Sequence, residues 1–255
     1  MLFRFTLILL LSLNTYIALS TQLAAKPADN SPTIIVLGLT GFAPYSTIDE
    51  ETGQCFGSGF DITQALLSSD NFKVKPFCAA PARVYRSIKE GKIDFTVNIK
   101  STNALKDKVS FTKIPFDKLK LNLYSKNEQS SSKTVASIRG YDYEGQRRKM
   151  EEQGYKFVDV PNADNATNLF LNGRTSYLLS YENPYIHFLN QLDSETRISY
   201  EQIVQIEYLT SVATHYAISK SSPHHDSLLE AFNRIDKKAL ADQHFINQVI
   251  ATIYP

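Results

Sequence analysis

Short apolar runs rich in β-branched residues alternate with helical patterns, and this alternation constrains the fold more than any other feature of the chain. The run Thr33–Leu39 (TIIVLGL) is typical of a buried strand. A helical pattern opens at Gly59, and the rhythm continues with a strand at 73–77, a short helix that stops at Gly91 and a strand at 93–99. The order strand, helix, strand, helix, strand predicts an α/β fold with a mostly parallel sheet.

The same rhythm begins again after a polar loop at 126–133. Strict alternation predicts one strand before the loop, at 119–124. Beyond it the predicted elements, in chain order, are a strand at 134–138, a helix at 146–153, a strand at 156–160, a helix at 165–172, a strand at 176–179, a strand at 215–219, and helices at 227–240 and 244–253. Since the same rhythm occurs twice, we expect two separate α/β lobes. The two halves are not copies of one another.

The composition is that of a globular chain and excludes several classes of protein. With 43% hydrophobic and 21% charged residues, the 255-residue chain is not disordered as its main state. Its 27 Lys and Arg against 26 Asp and Glu give a formal charge of +1, so nothing favours a nucleic-acid partner. His224 and His225 stand beside Asp226 without a third ligand, and we expect no metal and no cofactor.

The N-terminal segment 1–20 has the pattern of a signal peptide. Arg4 precedes an apolar run with small residues after it, and polar residues from Ser12 onward interrupt the run too early for a membrane anchor. We expect export with cleavage after Ser20, with a second possible site at 23–25, and a polar leader at 21–29.

Cys55 and Cys78 are the two cysteines of the chain. An oxidising compartment outside the cytoplasm favours a disulfide between them, and two independently buried thiols are the alternative. Closing this loop would stabilise the fold by about 3 kcal/mol on the chain-entropy model.

Five short segments carry a resemblance to a known family. They are FAPY at 42–45, GFDI at 59–62, GKIDF at 91–95, VSFT at 109–112 and GR at 173–174. In their order and spacing they resemble the extracellular solute-binding protein family 3, the periplasmic amino-acid-type binding proteins, over nearly the whole mature chain. The resemblance implies the type II periplasmic-binding-protein fold, with one lobe at 30–117 and 219–255, a second lobe at 118–218, and two hinge crossings.

The resemblance also implies where a ligand binds in the first lobe. Phe42 would cover the ligand, Tyr45 would follow it in the same loop, and Thr102 would contact the ligand. Family members that bind amino acids carry an arginine three residues after this threonine. Here that position falls on Leu105, or on Lys106 if one residue is deleted, so Lys106, Lys100 or Arg83 would have to hold a ligand carboxylate.

In the second lobe the resemblance places a carboxylate near the end of the strand that follows Gly173. Counting forward from Gly173 gives Tyr181, whereas counting back from Pro184 gives Glu182. The loop with Gly140 and Tyr141 lies between a strand and a helix, where backbone N–H groups can hold an anion.

The resemblance implies a monomeric periplasmic protein that captures a small polar solute, an amino acid or a related compound, for an ABC-type membrane importer. No nucleophile elbow, zinc-protease motif or phosphate loop occurs in the sequence, so we expect no catalytic residues. A stand-alone sensory or scavenging protein is the first alternative. A periplasmic dehydratase on the same fold, with Glu182 as its general acid, is the second.

Overall fold

A computed structural model of the chain describes residues 31–49, 51–126, 132–242 and 244–253. The predicted signal peptide and leader lie outside these residues. The helices in the described part are α1 (Ser58–Leu67), α2 (Pro81–Lys89), α3 (Gln146–Glu152), α4 (Ala163–Leu171), α5 (Glu182–Asn190), α6 (Ser194–Ile203), α7 (His225–Ala241) and α8 (Phe245–Ile253). The strands are β1 (Thr33–Leu39), β2 (Thr47–Ile48), β3 (Cys55–Phe56), β4 (Phe72–Cys78), β5 (Phe95–Ile99), β6 (Val109–Phe111), β7 (Asp117–Lys126), β8 (Thr134–Ile138), β9 (Lys156–Val160), β10 (Tyr177–Tyr181) and β11 (Val204–Ser219).

Nine of the strands form one mixed sheet in the order β4-β1-β5-β11-β7-β10-β8-β9, with β6 paired to β11. Parallel pairs join β1 to β4 and β5 at one end, and β8 to β9 and β10 at the other. The long strand β11 runs antiparallel to β5, β6 and β7, so the sheet is less parallel than the alternation of elements predicts. The antiparallel strands connect the two parallel parts.

These two parts are the lobes of the fold. The first lobe contains β1, β4, β5 and β6, and the second contains β8, β9 and β10. Between them β11 changes partner at Thr214, which faces both Asp117 of β7 and Ile99 of β5. The strands β7 and β11 are therefore the two hinge strands of the molecule.

Helices cover both faces of the sheet in each lobe. Along β1 the side chains of Ile35 and Leu37 pack with α1 and α7, whereas Val36 faces the cluster formed by α2. In the second lobe Leu121 of β7 packs on the side of α3, and Tyr124 packs on the opposite side with α4 and α5. The period of two along the strands thus divides the core into layers above and below the sheet.

Sequence patterns located most elements within a few residues. They missed the short strands β2, β3 and β6, the helices α5 and α6, and the first half of β11. No residue of α6 is buried, and Ile206 and Tyr208 of β11 are each 59% exposed, so α6 and this half of β11 lack the apolar periodicity that marks a buried face. No helix in the described ranges has the length and apolar character that a membrane crossing demands.

A disulfide joins Cys55 of β3 to Cys78 at the end of β4. Both residues pack against the core cluster of the first lobe. The bond fixes the loop that carries β2 and β3 to the parallel sheet, so the segment between β1 and α1 has a covalent anchor.

Candidate functional site

A cavity of about 350 Å³ lies between the two lobes. It is found where β1, β5, β8 and β10 end, and it is lined by residues that follow β1, β5 and β8 and by Tyr181, the last residue of β10. Ligands of α/β proteins bind beyond the carboxyl ends of parallel strands, where the connecting loops diverge. The position of the cavity is therefore that of a ligand site shared by both lobes.

The loop after β1 brings Phe42 and Tyr45 into the cavity. Reciprocal backbone hydrogen bonds between Phe42 and Ser46, with N···O distances of 2.8 and 3.0 Å, close the loop tightly. The rings of Phe42 and Tyr45 stack with their centroids 6.2 Å apart, and Phe42 meets the Tyr181 ring of the second lobe edge to face at 5.7 Å. An aromatic contact therefore bridges the lobes at the site.

The Tyr45 hydroxyl is the centre of a hydrogen-bond network. It donates to Oδ2 of Asp117, at the start of β7, and accepts from Nδ2 of Asn183 on α5 at 2.8 Å. Burial raises the pKa of Tyr45, and the Asp117 carboxylate raises it further, so the phenol keeps its proton. This one side chain connects the loop after β1, a hinge strand and the second lobe.

A second network orders the wall formed by the end of β5. Thr102 donates its hydroxyl proton to Oδ1 of Asn98 at 2.6 Å, and Nδ2 of Asn98 donates to the Tyr85 hydroxyl of α2 at 3.0 Å. Burial raises the pKa of Tyr85. Thr102 lines the cavity as the resemblance implies, and it also orients the Asn98 amide.

The loop after β8 supplies the wall from the second lobe. Gly140 has a φ of 80°, and Tyr143 and Glu144 also have positive φ values, of 51° and 57°. The buried Tyr143 hydroxyl accepts a hydrogen bond from Ile138 N at 2.7 Å, which fixes this strained loop against β8. Tyr141, Asp142 and Tyr143 line the cavity here, and the N–H group of Tyr141 is bonded to the carbonyl oxygen of Ile138.

Six of the nine residues that the sequence offered for ligand binding line the cavity: Phe42, Tyr45, Thr102, Gly140, Tyr141 and Tyr181. The other three lie outside its lining. The Arg83 guanidinium lies over the Phe77 ring at 5.4 Å, Lys106 is exposed to solvent, and the Glu182 carboxylate forms an ion pair with Lys120 at 3.0 Å.

The resemblance implies an arginine at the position of Leu105 or, with a one-residue deletion, of Lys106. Neither residue places a cation in the cavity. Leu105 is completely buried in the cluster beneath α2, and Lys106 extends into solvent. Lys100, a further alternative, is also exposed and does not line the cavity. The charged residues among the lining are Asp117 and Asp142, and it includes no Lys, Arg or His from the described part of the chain.

Several lining residues were not found from the sequence. Asn98 lies near the end of a predicted strand, so the rule that ligands bind beyond such ends could have identified it. Asp117 lies at the first predicted crossing between the lobes. Its position there could likewise have identified it as a residue of a cavity between the lobes. Tyr85 reaches the cavity from α2, and Phe116 reaches it from the segment just before β7; no sequence pattern marked either residue.

A smaller cavity of about 170 Å³ adjoins the first. It is mostly apolar and is lined by side chains of α1, α7 and α8. Tyr45, Phe116 and Asp117 line both cavities, so these three residues form the partition between them.

His225 takes part in a chain of polar contacts outside both cavities. Its Nε2 lies 3.0 Å from Ser110 Oγ, and its Nδ1 lies 2.7 Å from Asp226 Oδ1. None of these three residues lines either cavity, and the Ser110 contact fastens β6 to the start of α7. Within the described ranges, no group of three or more His, Cys, Asp or Glu residues could hold a metal ion.

Comparison with solved structures identifies the fold. An ancestral arginine-binding protein bound to arginine is 19% identical with a TM-score of 0.68, and the match covers 87% of this chain and 98% of that one. A histidine kinase sensor domain with similarity to periplasmic binding proteins is 17% identical with a TM-score of 0.67, covering 88% and 96%. The substrate-binding protein of an amino acid ABC transporter is 18% identical with a TM-score of 0.65, covering 86% and 98%.

These likenesses show that the chain has the fold of the periplasmic binding proteins, with two α/β lobes and two hinge strands, and the predicted fold class is confirmed. Matches at this level of identity define the fold alone. No protein-family model matches the sequence, and no curated protein matches it.

Proposed function

We propose that this chain is a solute-binding protein that captures a small polar solute between its lobes, an amino acid or a related compound. The observation that carries the proposal is the cavity at the ends of the parallel strands, which both lobes line. Its volume of about 350 Å³ lies within the range of small-molecule sites, and its lining combines aromatic rings with hydroxyl, amide and carboxylate side chains that suit a polar solute.

Hinge closure explains how such a site binds tightly. A solute that touches both lobes binds the closed form better than the open form and shifts the population toward closure. The proposed lobes are residues 30–117 with 219–255, and residues 118–218. The start of β7 at Asp117 supports the first boundary, whereas β11 already changes partner from β7 to β5 at Thr214, before the second boundary.

The proposal extends to location and partners. Export through the predicted signal peptide would place the mature protein in the periplasm as a monomer. There it would deliver its solute to an ABC-type importer, in the manner suggested by the transporter-associated protein of the same fold. A sensory role is the alternative function. The histidine kinase sensor domain with the same fold supports this alternative.

Binding without catalysis fits the site better than a dehydratase does. The general acid of such an enzyme would need to lie in the cavity beside the leaving hydroxyl. Glu182 instead lies outside the lining and pairs with Lys120. Because Glu182 is the general acid that the resemblance offered for a dehydratase, its position favours capture of the solute unchanged.

A thermal-shift screen of the purified chain with amino acids, polyamines, sugars and organic acids tests the proposal. A true ligand raises the melting temperature, because it binds only the folded state. Phe42→Ala and Thr102→Ala should each weaken binding of that ligand by about tenfold, with little loss of stability.

Phe56→Ala is the matched control, since Phe56 is 53% exposed and lies outside the cavity. It should leave affinity unchanged. The proposal fails if no solute shifts the melting temperature and mass spectrometry finds none copurified, or if both cavity variants bind as well as the control.

A further inference from the structure

The charged groups that line the cavity are all of one sign. Asp117 and Asp142 supply carboxylates, and none of the described lysine, arginine or histidine residues lines the cavity. The carboxylate of an amino acid would lose hydration there beside the half-buried Asp117, with the exposed Asp142 also in the lining and without a cation to replace the water. The site therefore disfavours the group that amino-acid ligands share.

Aromatic rings line the cavity from both lobes. Phe42, Tyr45, Tyr85 and Phe116 lie on one side, and Tyr141, Tyr143 and Tyr181 lie on the other. The faces of such rings carry negative partial charge and attract ammonium and guanidinium groups, most strongly where water is excluded.

Asp117 is placed to receive a cation. It lines the cavity at the hinge, Tyr45 orients one of its oxygens, and it forms no ion pair with a described residue. The potential inside the cavity agrees with this role. Burial raises the pKa of Tyr181, and Glu144 and Asp142 are among the anionic groups that raise it further.

We infer that the solute is an organic cation without a carboxylate group, an amine or guanidine whose charged end meets Asp117 and whose body lies between the aromatic walls. This inference rests on the proposed function, because the same cavity must hold the solute. The proposed function allows an amino acid or a related compound as the solute. This inference excludes amino acids and keeps related compounds that are amines or guanidines.

Matched pairs of probes test the inference by isothermal titration calorimetry on the mature chain. Agmatine and arginine differ by one carboxylate, and so do tyramine and tyrosine. We expect the amine of at least one pair to bind about tenfold or more tightly than its amino acid, since only the amino acid brings an uncompensated anion.

Asp117→Asn should weaken binding of the preferred amine by about tenfold or more, because the amide still accepts from Tyr45 but carries no charge. Asp107→Asn is the control. It removes the same charge from an exposed residue outside the lining, and the positive φ of 60° there suits asparagine. If the Asp117 variant fails to fold, the wild-type protein still tests the inference, because its preference for amine over amino acid in the matched pairs does not depend on the variant.

The outcomes separate this inference from the proposed function. If an amino acid binds as tightly as its amine, or if a neutral or anionic solute binds while both amines fail, the inference is overturned and the binding function stands. If nothing in the broader screen binds either, both are overturned.

Discussion

At the scale of single residues, Tyr45 shows how one side chain integrates the molecule. Its ring stacks with Phe42, and its hydroxyl contacts Asp117, 72 residues away in sequence, and Asn183, 138 residues away. A movement of either lobe relative to the hinge must change at least one of these contacts. Tyr45 is thus positioned to couple occupation of the cavity to the arrangement of the lobes.

His215 on the hinge strand β11 should make stability depend on pH. It is 5% exposed, and its Nδ1 has no hydrogen-bond partner among the described residues. Burial lowers the pKa of His215 most, and Lys100 lowers it further, while Thr112, Ile114 and Asp236 oppose the shift. A lowered pKa means that the unfolded chain binds the proton more readily, so stability falls as the pH drops through the ordinary value of 6.5.

Urea unfolding at a series of pH values measures this effect. We expect His215→Leu to remove an acid-side slope of up to about 1.4 kcal/mol per pH unit. His244→Gln changes an exposed histidine and should keep the wild-type profile. Identical slopes in the wild type and His215→Leu would contradict the assignment.

At the scale of elements, the turn before β5 explains the segment GKIDF. Gly91 has a φ of +69°, and a Cβ placed on it would lie 2.3 Å from the carbonyl oxygen of Ser221. Asp94 accepts a hydrogen bond from Val36 N at 2.6 Å and another from the Ser222 hydroxyl. The segment therefore holds β1, β5 and the end of β11 together, which is a structural role.

Gly91→Ala should lower the free energy of unfolding by about 3 kcal/mol or more, because both the backbone conformation and the close approach oppose a side chain. Urea denaturation measures it. Gly154→Ala separates the two causes, since Gly154 has a φ of +88° but no atom within 4 Å of a Cβ. We expect it to lose only about 1–2 kcal/mol. Equal losses would show that the contact with Ser221 is unimportant.

At the scale of the whole molecule, contacts across the cavity hold the two lobes together. The Ser101 hydroxyl of the first lobe donates to Oε1 of Glu144 in the second, Phe42 meets Tyr181, and Tyr45 accepts from Asn183. The lobes therefore touch through their own side chains. Contacts between protein side chains therefore contribute part of the free energy that stabilises the closed form.

Glu144→Ala should shift the ligand-free protein toward the open form by about twofold to fivefold, because it removes a partly exposed hydrogen bond worth up to about 1 kcal/mol. Spin labels on α2 and α4 report the distance between lobes. Glu152→Ala, on the exposed face of α3, is the control. An unchanged distance distribution in Glu144→Ala would show that the Ser101 contact does not influence closure.

The sequence by itself determined the alternation of the main buried strands and helices, although not the short strands β2, β3 and β6 or the helices α5 and α6. Apolar periodicity is a local property, and loops that follow parallel strands must gather at one edge of the sheet. The resemblance to a known family named Phe42, Tyr45, Thr102 and Tyr181 for ligand binding, and the place of Tyr141 between a strand and a helix added that residue; all five line the cavity. The cysteine pair was likewise plausible from the compartment alone.

Only the tertiary structure decided which charges face the solute. A one-residue ambiguity left the arginine position on Leu105 or Lys106, and the fold buries the first and exposes the second. Asp117 enters the cavity because two hinge strands pair across 97 residues of sequence, at Thr214. Local patterns record whether a side chain is buried, but its direction and its neighbours depend on packing between distant segments.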